Sequence, residues 1–561
     1  MTPALRSGRG AWAPRRAAGL LAIAGMAGCA TGGARGGVPS RPGAPATPAT
    51  AAEASAFTRT SSHAEVVAFL DTLQHSGAPM ARGSIGRSGE GRDLPYVVLS
   101  RPLVRTPAEA RALHRPVVYV QGNIHGGEVE GKEALLALVR DLARSSGPGV
   151  LDSIVLVAVP VYNADGNERW GPQATQRSAQ NGPERVGQRA NARGLDLNRD
   201  YIKAEAPETR ASLAAFEAWD PDVFVDLHTT NGSYHGYALT YSPSLYPGLP
   251  AALLARDSLL PELRRRMRAR HDMAVFDYGN FSDDGRGAAL TDSVKTGWWT
   301  YDFRPRFGSN YYALRGRVAI LSEAYSHDPF ARRVASTAAF VREILSLAAE
   351  RRTSLERLRA DTLPPRRLVL RAALPDSAPR QPVVAEVLVP APDSADGEAG
   401  VPDDVWRTGR YHTLPLPVYD RFEPTLETEL PHAWVVPAVD TAIVRELRQH
   451  GVQVQRLGRE WRGRVEIFTI DSIVVAPREF QQHREVRLEG RWAAGTVTVP
   501  AGAFVVPASQ RLGSLAGVLL EPQSADGFVT WNRFDAAMKP GWAFPVFRAR
   551  DALGAPLIPV P

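Results

Sequence analysis

An α/β fold with a mixed, largely parallel sheet flanked by helices, followed by a β-rich C-terminal domain, is the class this sequence predicts. Three observations lead there. Near-continuous apolar runs such as Val117-Val118-Tyr119-Val120 and Ile154-Val155-Leu156-Val157-Ala158-Val159 are those of strands buried on both faces. These runs alternate with segments of helical spacing, as in a covered parallel sheet. After Pro364-Pro365 the pattern changes to short alternating runs. A length of 561 residues is enough for two domains or more.

The chain begins with Arg6, Arg9, Arg15 and Arg16, then an apolar run from Ala17 to Gly28 that is too short for a membrane span of about 20 residues. Residues 1–28 therefore read as an export signal. Met26-Ala27-Gly28-Cys29 resembles the bacterial lipobox, with Met where Leu is preferred, and makes Cys29 the expected lipidation site. The alternative is a plain secretory signal with an incidental cysteine. The protein is accordingly expected in the periplasm or anchored to the outer membrane as a lipoprotein, and otherwise secreted. Cys29 is the single cysteine, so an intramolecular disulfide and a thiolate zinc cluster are both excluded. Residues 29–56, rich in Ala, Gly, Pro, Thr and Ser, read as a flexible linker.

The first folded domain is expected over 57–360. Val66, Val67, Phe69, Leu70 and Leu73 share a helical face, with Ser61 or Ser62 as N-cap. A hairpin follows around Arg87-Ser88-Gly89-Glu90-Gly91. Helices are expected at 131–142, 207–219 and 334–358, and strands at 117–120, 154–159, 223–225 and 318–321. Residues 361–561 form the β-rich domain, with strand-like runs at 383–389, 465–470 and 495–499 and one helix at 441–450. An apolar fraction of 44% and 11 tryptophans belong to a well-buried protein. The formal charge of +7 owes four of its charges to the acid-free N-terminal segment, which leaves the remainder close to neutral. No Lys/Arg block interleaved with aromatics is present, so nucleic-acid binding has no support.

Three side chains converge at strand ends. Gln121-Gly122-Asn123-Ile124-His125-Gly126-Gly127-Glu128 lies where a strand gives way to a helix, the rim at which open α/β sheets bind ligands. The spacing lets His125 and Glu128 meet one ion across a single turn. His228 ends the strand-like run Val223-Phe224-Val225-Asp226-Leu227-His228, and these two of the 12 histidines share that placement. Two histidines, one carboxylate and an open position make the ligand set of a catalytic zinc. Glu323, after Val318-Ala319-Ile320-Leu321, reaches the same rim and has the chemistry of a general base.

Together these residues resemble the zinc carboxypeptidases (peptidase family M14), over roughly residues 60–350. The resemblance implies one Zn2+ per chain at His125, Glu128 and His228, Glu323 as general base, and a peptide with a free C-terminal carboxylate as substrate. Within Gly194-Leu195-Asp196-Leu197-Asn198-Arg199 it implies that Asn198 and Arg199 grip that carboxylate and that Asp196 orients the first zinc histidine. It implies Arg189 as the group that stabilises the oxyanion, with Arg185 and Arg193 competing, and Tyr301 as the mobile tyrosine, with Tyr311 and Tyr312 competing. Gly127 stands where digestive-type members carry an arginine. The spacings between motifs also depart from that type, as in a divergent bacterial branch. Two other readings share the fold: a zinc deacylase of the aspartoacylase or succinylglutamate desuccinylase type, and a non-catalytic peptide-binding lipoprotein of the envelope.

Overall fold

The computed structural model describes residues 47–281, 292, 295–361, 363–390 and 405–560. Residues 1–28, expected to be an export signal, Cys29 and most of the expected linker lie outside these. The end of that linker departs from expectation. Ala51–Ala54 is a helix with a Thr50/Glu53 capping box, Glu53 accepts from Arg140 Nη2 at 2.9 Å, and the Phe57 ring meets Phe330 edge-on. Thr50 supplies an N-cap and Glu53 a charge partner, which a reading of composition averages away.

The first part of the chain is organised on eight strands: β1 (Ala81–Arg87), β2 (Asp93–Leu99), β3 (Val117–Gly122), β4 (Val155–Val159), β5 (Val223–Thr229), β6 (Leu239–Pro243), β7 (Val275–Asp277) and β8 (Val318–Ala324). Their order across the sheet is β1-β2-β4-β3-β5-β8-β6-β7. The central strands β4, β3, β5 and β8 are mutually parallel, while β2 on β4 and β6 on β8 run antiparallel. The sheet is thus mixed with a parallel centre, as expected, although β6 was not visible as a strand in the sequence.

Strand residues alternate faces, and two cores follow. Val118, Val120, Val225 and Ile320 face α1 (His63–His75), α2 (Glu130–Arg144), α4 (Leu260–His271) and α5 (Phe330–Glu350). Ser62 caps α1 with Glu65 closing a capping box. Tyr119, Phe224 and Ala319 face the other way, against α3 (Pro207–Trp219). There Leu213, Phe216 and Trp219 recur on one helical face, each contributing about 1.5–3 kcal/mol by burial, and Phe216 stacks on Tyr312 at 3.8 Å. The helix expected over 334–358 is two, α5 and Arg352–Ala360, because Arg351 leaves helical geometry at φ −97°, ψ 17°.

The C-terminal part is β-rich, with a seven-stranded sheet that includes the long pair Trp461–Val475 and Val486–Val499. It carries more helix than expected: besides Thr441–Gln449, Gly513–Leu520 is an apolar helix buried along its length. Among the described residues, no break in the core marks the expected boundary near 360. Trp434, Phe468 and Phe544 belong to the same buried cluster as Tyr119 and Tyr312, and the described residues from 47 on form one compact unit. His450 Nδ1 lies 2.8 Å from Tyr311 Oη across that contact.

Candidate metal centre

The metal loop is shaped by its own backbone. After β3, Asn123 adopts φ 60°, which asparagine tolerates. Its Nδ2 then donates to the carbonyl oxygens of His125, Gly126 and Glu128 at 3.2, 3.2 and 3.1 Å. Gly126 is obligatory, since a Cβ there would lie 2.3 Å from the carbonyl carbon of Gly166. Strand β5 brings His228 to the same point, and β8 lies beside it in parallel register with Glu323 opposite His228.

His125 Nδ1 lies 2.9 Å from Glu128 Oε1, and His228 Nδ1 lies 3.0 Å from Glu128 Oε2. Among the described residues these three form a His/Glu/His group whose ligand atoms all fall within 4.8 Å of one another, and all three are buried. The far nitrogens of both rings face carboxylates: His125 Nε2 to Asp196 Oδ1 at 3.0 Å, and His228 Nε2 to Asp226 Oδ2 at 3.1 Å. Both Nδ1 atoms are thereby presented to an ion, and the hydrogen bond to Asp196 fixes the tautomer of His125. The donor set fits Zn2+, and no thiolate is involved.

The site's electrostatics follow from burial and charge pairing. Against burial, which would raise it, His125 and Arg177 hold the Glu128 carboxyl well below its usual range. Against burial, the carboxylates of Asp226 and Glu128 raise the His228 imidazole. Glu323 is pushed up to about 8, mainly by burial, and its Oε2 finds no hydrogen-bond partner. A buried carboxylate with an unpartnered oxygen beside a metal site is poised to take a proton.

Around this centre a small pocket of about 60 Å³ is lined by Arg189, Asn198, Arg199, Tyr278, Tyr301, Phe307, Leu321 and Glu323 with the three metal-site residues. Every expected site residue within the described chain is therefore at this pocket or, like Asp196, directly behind it. Arg189 Nη2 pairs with Asp196 Oδ2 at 2.8 Å, and its Nη1 lies 3.6 Å from Glu128 Oε1. Its competitors lie elsewhere: Arg185 donates to the Trp170 carbonyl and Arg193 to the Glu205 carbonyl. The Arg199 guanidinium rests 4.0 Å over the Phe307 ring, and its ion pair to Asp196 is long, at 4.0 Å. Asn198 Oδ1 accepts from the Gly308 amide at 3.0 Å. Tyr301 Oη lies 2.7 Å from Ser309 Oγ, whereas Tyr311 and Tyr312 are core residues with no exposed surface.

Three neighbours escaped the sequence. Asp226 had a signal: two residues before His228 on one strand, it must share that face. Arg177, whose Nη1 lies 3.0 Å from Glu128 Oε1 and whose Nη2 donates to Thr229 O at 3.0 Å, had none. Tyr278 meets Tyr301 edge-on at 5.6 Å from a segment with no recognisable pattern.

Set against known proteins, residues 66–304 match the family model described as zinc carboxypeptidase, a range that contains the pocket-lining residues named above except Phe307, Leu321 and Glu323. Carboxypeptidase 2 of Trichophyton equinum is 23% identical over 487 residues, which cover 83% of this chain and 82% of that protein. Carboxypeptidase D of Mus musculus is 32% identical over 170 residues, 26% of this chain and 12% of its own. A solved metallo-carboxypeptidase from Burkholderia cenocepacia overlays with a TM-score of 0.37 and 21% identity, covering 51% of this chain and 69% of that one.

Proposed function

We propose that this chain, whose residues 66–304 match the zinc carboxypeptidase model, removes the C-terminal residue of peptides at the His125/Glu128/His228 centre. The observation that supports the reading is convergence: the three ligand atoms meet within 4.8 Å, and the same pocket presents Glu323, Arg189, Asn198 and Arg199. Zinc held there by His125, Glu128 and His228 would supply Lewis acidity toward a water and a carbonyl.

The chain's own residues do the rest. Glu323 takes the proton of the attacking water and delivers it to the leaving amine. Arg189 aims its donors at the oxygen where charge develops, while Asp196 keeps its guanidinium in place. Arg199, flattened on Phe307 and with its nearby carboxylate pairing stretched, is free to grip a substrate carboxylate bidentately beside Asn198. Tyr301 closes the pocket next to that carboxylate. Export by residues 1–28 with lipidation at Cys29 would place this activity in the periplasm or at the outer membrane, tethered through a linker that ends near Thr50. Residues 57–360 are the proposed catalytic segment and 361–561 its β-rich partner.

The decisive experiment compares a peptide with its C-terminal amide. Removing the carboxylate leaves Arg199 unpaired in a mostly buried pocket, a loss of roughly 2–5 kcal/mol, so the amide should be cleaved at least tens of times more slowly. Arg199→Ala should erase that preference. Equal rates on acid and amide would refute carboxypeptidase action, and a preference for a single acylated amino acid over either peptide would favour the deacylase.

A further inference from the structure

A loop of the second half of the chain reaches the segment that carries Asp196. The strands Trp461–Val475 and Val486–Val499 are joined by residues 476–485, and within them Phe480 and His483 form an antiparallel bridge. Between these, Gln481 and Gln482 both take positive φ, 51° and 65°. Such backbone persists only when surrounding contacts hold it.

Those contacts are to the catalytic half. Gln481 Oε1 accepts the backbone N–H of Asp196 at 2.9 Å. Gln482 Nε2 donates to the Arg193 carbonyl at 3.0 Å, and His483 Nε2 lies 3.0 Å from Glu205 Oε1. Behind the tip, Glu485 Oε1 accepts from Arg306 Nη1 at 2.5 Å, and Phe480 lies 5.4 Å below the Arg306 guanidinium.

Asp196 is the junction of the site. Its Oδ1 faces His125 and accepts the Asn198 amide at 2.9 Å, and its Oδ2 receives Arg189 Nε at 2.9 Å. With both oxygens committed, the direction of the carboxylate depends on where the Asp196 backbone is pinned. The acceptor on its N–H is the Gln481 side chain, 285 residues away.

We infer that Gln481 is a positioning residue for the metal centre: by fixing the Asp196 amide it fixes the carboxylate that aims His125 and Arg189. The inference rests on the zinc reading above. It gives the β-rich region a role in the reaction, because a loop of that region sets the ring angle of a metal ligand it never touches. Metal sites tolerate misplacement of only about 0.5 Å, so a released Asp196 amide is felt at His125.

The test uses the zinc-loaded full chain. Gln481→Met keeps length and bulk without the acceptor. It should raise the zinc dissociation constant about tenfold in chelator competition and lower kcat with KM nearly unchanged, at an unaltered melting temperature. Gln481→Glu, which keeps an acceptor oxygen, should restore both. Gln482→Ala, which removes the neighbouring contact to Arg193, should bind zinc like the wild type. Wild-type zinc affinity and kcat in Gln481→Met, failure of Gln481→Glu to restore them, or an equal loss in Gln482→Ala would each overturn the inference. His125→Ala separates it from its premise: zinc retained there refutes the metal reading itself, whereas zinc lost there but unchanged in Gln481→Met refutes only the role of Gln481.

Discussion

The two histidines of the candidate metal centre are supported in opposite ways. His228 lies within a central strand, and Asp226, two residues back on the same face, supports its ring, itself met by Gln121 Nε2 at 3.2 Å from the adjacent strand. His125 lies in a loop, and its support comes from Asp196, 71 residues on in the sequence. A strand side chain inherits its position from the hydrogen-bond ladder. A loop side chain needs turn chemistry, here Asn123 at φ 60° and a glycine wedged against Gly166, and needs partners from elsewhere to hold the turn. The strand-borne half of the site is therefore the robust half, and the loop-borne half is where the tertiary structure has most influence.

The largest expected effect lies on the strand side. Glu323→Gln leaves the His125 loop and the ladder intact, so zinc should stay bound while turnover falls about 10²- to 10⁴-fold. The carboxylate is the working form, so activity should be lost as pH falls through its pKa. Burial sets that value at about 8 without metal, and a bound dication favours the carboxylate, so the acidic limb of kcat/KM should lie below 8. The Gln variant should lose that limb. Near-normal turnover in Glu323→Gln would show that this strand end carries no catalytic group.

On the loop side, Gly126→Ala forces a methyl into the backbone of Gly166, an overpacking worth about 1–3 kcal/mol. It should weaken zinc binding five- to a hundredfold in chelator competition. If the variant binds zinc like the wild type, the loop is more compliant than its geometry implies.

The comparison is sharpened most directly by the two supporting carboxylates. Asp196→Asn and Asp226→Asn should each cost about 10- to 100-fold in zinc affinity or activity. Asp196→Asn should also lower kcat further, because Arg189 loses its partner, whereas Asp226→Asn should not. Equal kcat in the two variants would mean that the two halves of the site are supported alike.

Much of this was legible in the chain itself. His228 and Glu323 could be read because a buried strand announces itself by its apolar run, and its last residues must emerge at the rim. His125 and Glu128 could be read because three-residue spacing brings them together locally, and Asn198 and Arg199 because they sit in a recognisable segment. The second histidine's support was within reach through strand alternation alone, at Asp226.

What the tertiary structure decided is what depends on distant chain meeting distant chain. Arg177 reaches Glu128 from a segment without periodicity, Tyr278 borders the pocket from a short connection, and Gln481 pins Asp196 from the β-rich half. The described part of the expected second domain likewise belongs to the same buried cluster as the first, Trp434 and Phe544 together with Tyr119 and Phe224. Local spacing along a sequence determines which side chains a strand or a turn can offer. Contacts between segments hundreds of residues apart arise only from packing, which one-dimensional periodicity does not encode.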